Sequence, residues 1–296
     1  MRKLSSQGQA DVFDRKLKRR QREQSIMGED SSYYDYLRKE SATRLVDRIE
    51  DIYKSFPMAL ELGCHRGHVF DLINEKQGLN GTGGVGGIET LIQCDISPFA
   101  VQSSIARAGE REALGSHQNV KSYSMICDEQ YLPFKDKQFD IVLSSMNLHW
   151  VNDLPSTLRQ IRSCLKPDGV FLCSMIGGST LEELRRCFYL AELERKGGIS
   201  PHASPFARAS DMAALMQGAE FQLPTVDVDT IKVSNMPVYT EVLYPVFKVR
   251  LLLAVLRIFL HTPLHWLPVI PSLDILPRCL HSNGAFVTHG RGDSKH

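Results

Sequence analysis

The 296-residue chain has no C-x-x-C pair, only two tryptophans and no surplus of either charge. With 35 lysines and arginines against 34 acids the net charge is +1, which excludes nucleic-acid binding driven by overall charge. The seven cysteines (Cys64, Cys94, Cys127, Cys164, Cys173, Cys187, Cys279) show no zinc-site spacing and mostly lie in or beside apolar runs. They predict reduced, buried thiols in a protein that is not secreted. No histidine is followed two residues later by an acid, so the local sign of a two-histidine, one-carboxylate iron site is missing. The first ten residues, MRKLSSQGQA, lack the apolar run of a secretory signal. Arg2, Lys3, two serines and no acid instead suit a fragment of a mitochondrial presequence. The apolar stretch VFKVRLLLAVLRIFLHTPLHWLPVIPSLDILP is broken by Arg250, Arg257 and four prolines, so no membrane span is expected there.

What is present is a rhythm of short apolar runs and helical patterns. Leu45, Val46, Ile49 and Ile52 fall on one helical face before Phe56-Pro57. MALEL, LIQCDI, SYSMIC, FDIVLSSM and GVFLCSMI follow, separated by helical stretches. Ser97 with Pro98 can open one helix, and Pro167-Asp168-Gly169 stops another. Strands separated by helices need parallel crossovers, so the expected fold is α/β, a doubly wound, mostly parallel sheet. Its ligand belongs beyond the carboxyl ends of the strands.

Three parts are expected: a basic extension at 1–35, a domain at 36–233 and an atypical apolar tail at 234–296. The extension packs Arg15, Lys16, Lys18, Arg19, Arg20 and Arg22 into one run. A solvated helix face is the plain expectation, and an anionic surface or partner the sharper one. GLNGTGGVGG has six glycines in ten residues and reads as a flexible surface insertion.

Glu61-x-Gly63-x-x-x-Gly67 places an acid at the end of the first strand and small residues at the following turn. His65 stands between them where a glycine is expected, adding a side chain and resisting a positive φ. The second strand ends in Asp95, a carboxylate able to accept from two ribose hydroxyls. The 32 positions from Gly63 to Asp95 exceed the usual separation of about 20, and the glycine-rich insertion accounts for the excess. Cys127-Asp128-Glu129 ends the third strand, where Asp128 can accept from an adenine amino group and Leu132-Pro133-Phe134 can flank the ring. Three acids at successive strand ends suit a sugar and a base rather than a chain of phosphates.

These motifs, with Phe139-Asp140-Ile141-Val142 and Leu165-Lys166-Pro167-Asp168-Gly169, together resemble the class I S-adenosylmethionine-dependent methyltransferase superfamily. The resemblance implies S-adenosylmethionine as cofactor, with Glu61, Gly63 and Gly67 around its methionine portion, Asp95 on the ribose and Asp128 on the adenine. FDRKLKRRQ, SSMNLHWVNDLP and GGSTLEELRRCFYLAELERKGGISPHASPF narrow it to the mitochondrial complex I assembly factors of the methyltransferase-like, arginine-hydroxylase type. That narrower resemblance covers about Val12 to Val233. It implies a protein of the mitochondrial matrix that hydroxylates an arginine of a complex I subunit, with assembly intermediates as partners. The basic run and the apolar tail would allow a peripheral inner-membrane contact.

Asn147, His149, Trp150 and His202 are the candidate catalytic or acceptor-facing residues. Asn147 can orient a polar acceptor, while Trp150 suits an anchor for the following helix as well as a substrate contact. Ser179-x-x-Glu182 suggests a capping box for a helix that Gly197-Gly198 ends, with His202 in a stiff loop beyond it. No metal site is assigned, because His65-x-x-His68 offers two ligands without an evident third. Two other readings stay open: a methyltransferase of the biotin- or quinone-synthesis type acting on a small molecule or carrier protein, and a degenerate assembly protein that no longer uses cofactor.

Overall fold

The protein is described by a computed structural model over residues 11–28, 35–75, 83–113, 119–198, 204–233 and 247–257. Its strands are β1 (Met58–Leu62), β2 (Thr90–Asp95), β3 (Lys121–Ile126), β4 (Phe139–Ser145), β5 (Leu165–Ile176), β6 (Gln222–Val233) and β7 (Phe247–Arg257). They form one sheet in the order β3-β2-β1-β4-β5-β7-β6. The first five pair in parallel, and β7 runs antiparallel to both β5 and β6. The order reverses beside β1, opening a crevice between the carboxyl ends of β1 and β4.

The helices are α1 (Arg15–Met27), α2 (Tyr36–Glu50), α3 (His68–Glu75), α4 (Pro98–Ala113), α5 (Leu154–Cys164), α6 (Glu182–Lys196) and α7 (Ala209–Gly218). Side chains alternate across the strands, so each face of the sheet acquires its own core. On one face Leu45, Ile49, Phe70 and Ile73 of α2 and α3 pack with Ala59, Leu91 and Ile141. On the other, Leu158 and Ile161 of α5 and Met212 and Met216 of α7 meet Leu60, Leu62, Val142 and Phe171. The Ser97 cap forms as expected, its Oγ accepting the Ala100 N–H at 3.3 Å.

Several expectations need correction. Beyond the expected domain boundary at Val233, the apolar stretch contributes β7, pairing with β5 from Val170↔Arg257 to Ile176↔Leu251. The continuous apolar run offered no alternation from which a strand could be read in the sequence. Of the glycine-rich segment, residues 83–87 are described, and they pack: Val85 is 2% exposed and the Gly86 carbonyl accepts the Phe56 N–H at 2.9 Å. Leu181, in the left-handed conformation at φ 52°, stands at the N-cap of α6, and Gly197 ends the helix as expected. Five cysteines are buried as free thiols, but Cys187 is exposed on α6. Among the described residues, no helix is long and apolar enough to cross a membrane.

Candidate functional site

The turn after β1 is built by backbone that few residues tolerate. Gly63 has φ +78°, and a Cβ there would lie 2.2 Å from Asn147 Cγ, so only glycine admits Asn147 beside β1. The Cys94 carbonyl accepts both the Gly63 and Cys64 N–H groups, at 2.8 and 3.0 Å, tying this turn to β2. His65 does adopt positive φ, at 50°. Its backbone N–H donates to Asp95 Oδ2 at 3.1 Å, so the turn orients Asp95 through main chain that any residue supplies. Gly67, at φ +77°, leads into α3.

Asp95 is 1% exposed at the end of β2, and its Oδ1 accepts the Ser97 N–H at 2.9 Å. Asp128 and Glu129 follow β3, with Glu129 only 2% exposed. Burying carboxylates requires compensating charge. It comes from α1, where Arg15 and Arg22, seven positions and about two turns apart, share one face. Arg22 Nη1 donates to Asp95 Oδ1 at 2.9 Å, and Arg15 Nη2 lies 2.8 Å from Asp128 Oδ1 and 3.0 Å from Glu129 Oε1. The anionic partner of the basic run therefore includes the protein's own strand ends, while Arg19 pairs with Glu23 on the exposed side. The sequence contained that signal as the seven-residue spacing, but nothing in the spacing alone named the partner.

Arg22 Nη2 also donates to Asn147 Oδ1, at 2.6 Å, leaving Asn147 Nδ2 buried without a hydrogen-bond partner. His149 is buried, and desolvation with Arg38, Arg22 and Lys18 nearby lowers its pKa to about 3, so the imidazole is neutral. Leu148 packs in the α5 core, whereas Trp150 packs edge-on to Phe13 and lies 3.7 Å beneath Lys18 Nζ. Trp150 thus anchors the N-terminal arm, rather than the following helix. Phe134 stacks edge-on to Phe139, and Leu132 also packs towards the core. His202 lies outside the described residues.

On the β1 side, Glu61 is 1% exposed, and burial raises its pKa to about 7 despite a 2.9 Å hydrogen bond from Gln93 Nε2. It lines a narrow pocket with Arg38, Ala42, Gly63, Cys64, His65, His68, Val69 and Ser145. Asp35, the missing third donor to the histidine pair, lies beside it: one ligand atom each from Asp35, His65 and His68 falls within 4.8 Å. No sequence spacing could disclose this, because Asp35 comes from the start of α2. Burial and the charges of Arg38, Arg22, His68 and Arg66 push the His65 pKa far below the usual imidazole range. The same positive field opposes a divalent cation, and Arg66 Nη1 already lies 3.3 Å from Asp35 Oδ2. The cluster fits a wall of the pocket better than a metal centre.

Residues 34–226 match the family described as the methyltransferase domain. The chain is 41% identical over 242 residues to "Arginine-hydroxylase NDUFAF5, mitochondrial" of Danio rerio, covering 82% of this chain and 68% of that protein. The human protein of the same name is 42% identical over 224 residues, covering 76% of this chain and 59% of its own length. The chain thus spans about three-fifths to two-thirds of these relatives. A crystal structure of an S-adenosylmethionine-dependent methyltransferase from Thermotoga maritima shares the fold at 14% identity and a TM-score of 0.51, covering 80% of this chain and 97% of that one.

Proposed function

This chain belongs to the methyltransferase domain family and, within it, to the relatives of arginine-hydroxylase NDUFAF5; on that premise we propose that it binds S-adenosylmethionine at the strand ends beneath α1 and hydroxylates an arginine of a complex I subunit during assembly in the mitochondrial matrix. The observation that carries the cofactor reading is the set of acids, Asp95, Asp128 and Glu129, converging at the ends of β2 and β3 around a turn that presents its N–H to Asp95. Asp95 would hold the ribose, Asp128 the adenine and Glu61 the methionine ammonium. Orphaned buried polar atoms, Asn147 Nδ2 and His149 Nδ1, leave hydrogen-bonding capacity at the edge where an acceptor meets the cofactor.

The cofactor, when bound, carries an activated methyl group on a sulfonium. The chain's own residues bind and orient: neutral His149 can accept an N–H of a substrate guanidinium at Nδ1, and Asn147 Nδ2 can donate to a substrate carbonyl. A complex I subunit and its assembly intermediates are the proposed protein partners. Calorimetric titration with S-adenosylmethionine tests the cofactor reading, with saturable binding expected and lost in Asp95→Ala. Peptide mass spectrometry of complex I subunits tests the activity: arginine hydroxylation should disappear when the chain is absent, and unchanged modification overturns the proposal.

One observation favours a second reading, an assembly protein without cofactor: Arg22 already satisfies Asp95 and Asn147. Absence of cofactor binding in both the native chain and an Arg22→Ala variant would establish it.

A further inference from the structure

α1 crosses the strand ends without burying a residue of its own. None of its 13 residues is buried, whereas α2 buries Ser41, Ala42, Leu45, Val46 and Ile49. Apart from Phe13 against Trp150 just before its start, polar contacts hold it: Arg15 Nη1 donates to the Trp150 carbonyl at 3.0 Å, and the Ile26 carbonyl accepts from Arg66 Nη2 at 2.7 Å. Such contacts exchange for water or a ligand at small net cost when little apolar surface is uncovered. Yet the Arg22 side chain is only 10% exposed. Its guanidinium faces acceptors from three elements: Asp95 Oδ1 at the end of β2 at 2.9 Å, Asn147 Oδ1 after β4 at 2.6 Å and Glu129 Oε1 after β3 at 3.8 Å. Burial by itself would lower the Arg22 pKa, but Asp95 and Glu129 outweigh it and hold the pKa above the usual guanidinium value. The occupant leaves capacity unused. Glu129 is 2% exposed with Oε2 lacking a hydrogen-bond partner, and Asn147, also 2% exposed, keeps Nδ2 unpaired. Two buried carboxylates and an amide oxygen around a planar cation with five N–H donors form a receptor for a guanidinium. The proposed substrate group has that same chemistry.

We infer that Arg22 is an internal pseudosubstrate: its guanidinium takes the place of the substrate arginine, which Glu129 and Asn147 receive when α1 withdraws. The inference rests on the arginine-hydroxylation reading and deepens it, adding Glu129 as the residue that selects arginine. Cofactor and substrate are then linked, because a ribose at Asp95 removes one of the two hydrogen bonds that keep Arg22 in place. The competing interpretation is a structural ion pair that only neutralises Asp95. It predicts no arginine site when Arg22 is truncated.

The test is calorimetry on the full chain with two probes, Nα-acetyl-arginine methylamide and its lysine counterpart. Arg22→Ala should bind the arginine probe about tenfold tighter than the native chain does, and prefer it about tenfold over the lysine probe, because an ammonium cannot span Glu129 and Asn147. Adding Glu129→Gln should erase that preference, and a preference that survives overturns the Glu129 assignment. In the native chain, saturating S-adenosylmethionine should tighten the arginine probe about tenfold, a coupling that Arg22→Ala removes. Equal affinity of the arginine probe for the native chain and Arg22→Ala, or equal affinity of Arg22→Ala for the two probes, overturns the pseudosubstrate. If Arg22→Ala does not fold, absence of the coupling in the native chain overturns it instead. A native chain that binds no S-adenosylmethionine sinks the cofactor reading alone, since the comparison of the native chain with Arg22→Ala still decides the guanidinium site. Failure of the hydroxylation reading shows separately, as unchanged arginine modification.

Discussion

The two ends of the crevice handle buried charge in opposite ways. At the β2–β3 end the protein answers its own acids: Arg22 meets Asp95, and Arg15 meets Asp128 and Glu129. At the β1 end, Glu61 and Arg38 line a narrow pocket and remain apart. Where the counter-charge is internal, a ligand must displace it, and the ion pair is a competitor. Where it is missing, the ligand supplies it, and the under-compensated groups are the driving force. Removing a charge should therefore have opposite consequences at the two ends.

The largest expected effect is at Asp95. Asp95→Ala removes the proposed acceptor for the ribose and the group that fixes the turn, so S-adenosylmethionine affinity measured by calorimetry should fall at least about a hundredfold. Arg22→Ala should act with the opposite sign to Glu61→Gln, tightening cofactor binding about threefold to tenfold. Its unliganded form should meanwhile melt at a lower temperature, because truncating one partner leaves Asp95 buried without its cation. A common sign for the two substitutions would erase the contrast between the ends.

The pH response sharpens it further. The Glu61 pKa is raised from 4.5 to about 7 on folding, so between these values the folded state holds more protons than the unfolded state. Stability is then fullest below pH about 4.5 and declines as pH rises towards 7, a slope that Glu61→Gln should remove in denaturant titrations. Cofactor binding should show the reverse dependence, tightening as pH rises through 7, because the ionised carboxylate holds the ammonium. The smallest effect is expected at His65. Its φ of 50° costs an L-residue on the order of 1 kcal/mol, partly offset in any glycine variant by greater unfolded-state entropy. His65→Gly should raise the unfolding free energy by about 0.5 kcal/mol, read from chemical denaturation, with cofactor affinity little changed because the donating atom is backbone.

Much of the parallel half of the sheet was legible because its strands are short, apolar and punctuated by helices with readable caps, as at Ser97. The acids at the strand ends were legible for the same reason: each terminates an apolar run. Glu129 shows the limit, since it sits beside Asp128 in sequence, but only its burial against Arg15 distinguishes it. The β7 strand and the packed Val85 escaped because a continuous apolar run and a glycine-rich run have no period to read. Arg15 and Arg22 showed a common helical face without an address.

The amino-acid order by itself determined the α/β rhythm, the glycine turn, the acids that end β1 to β3 and the family to which they belong, because those features depend on local period and spacing. Only the tertiary structure decided which charges meet. Arg22 reaches Asp95 across 73 positions, Asp35 joins His65 and His68 from another element, and Arg38 comes to the pocket beside Gly63 without an ion pair among the described residues. Coulomb energy depends on separation in space and on exclusion of water, and neither is written in sequence distance.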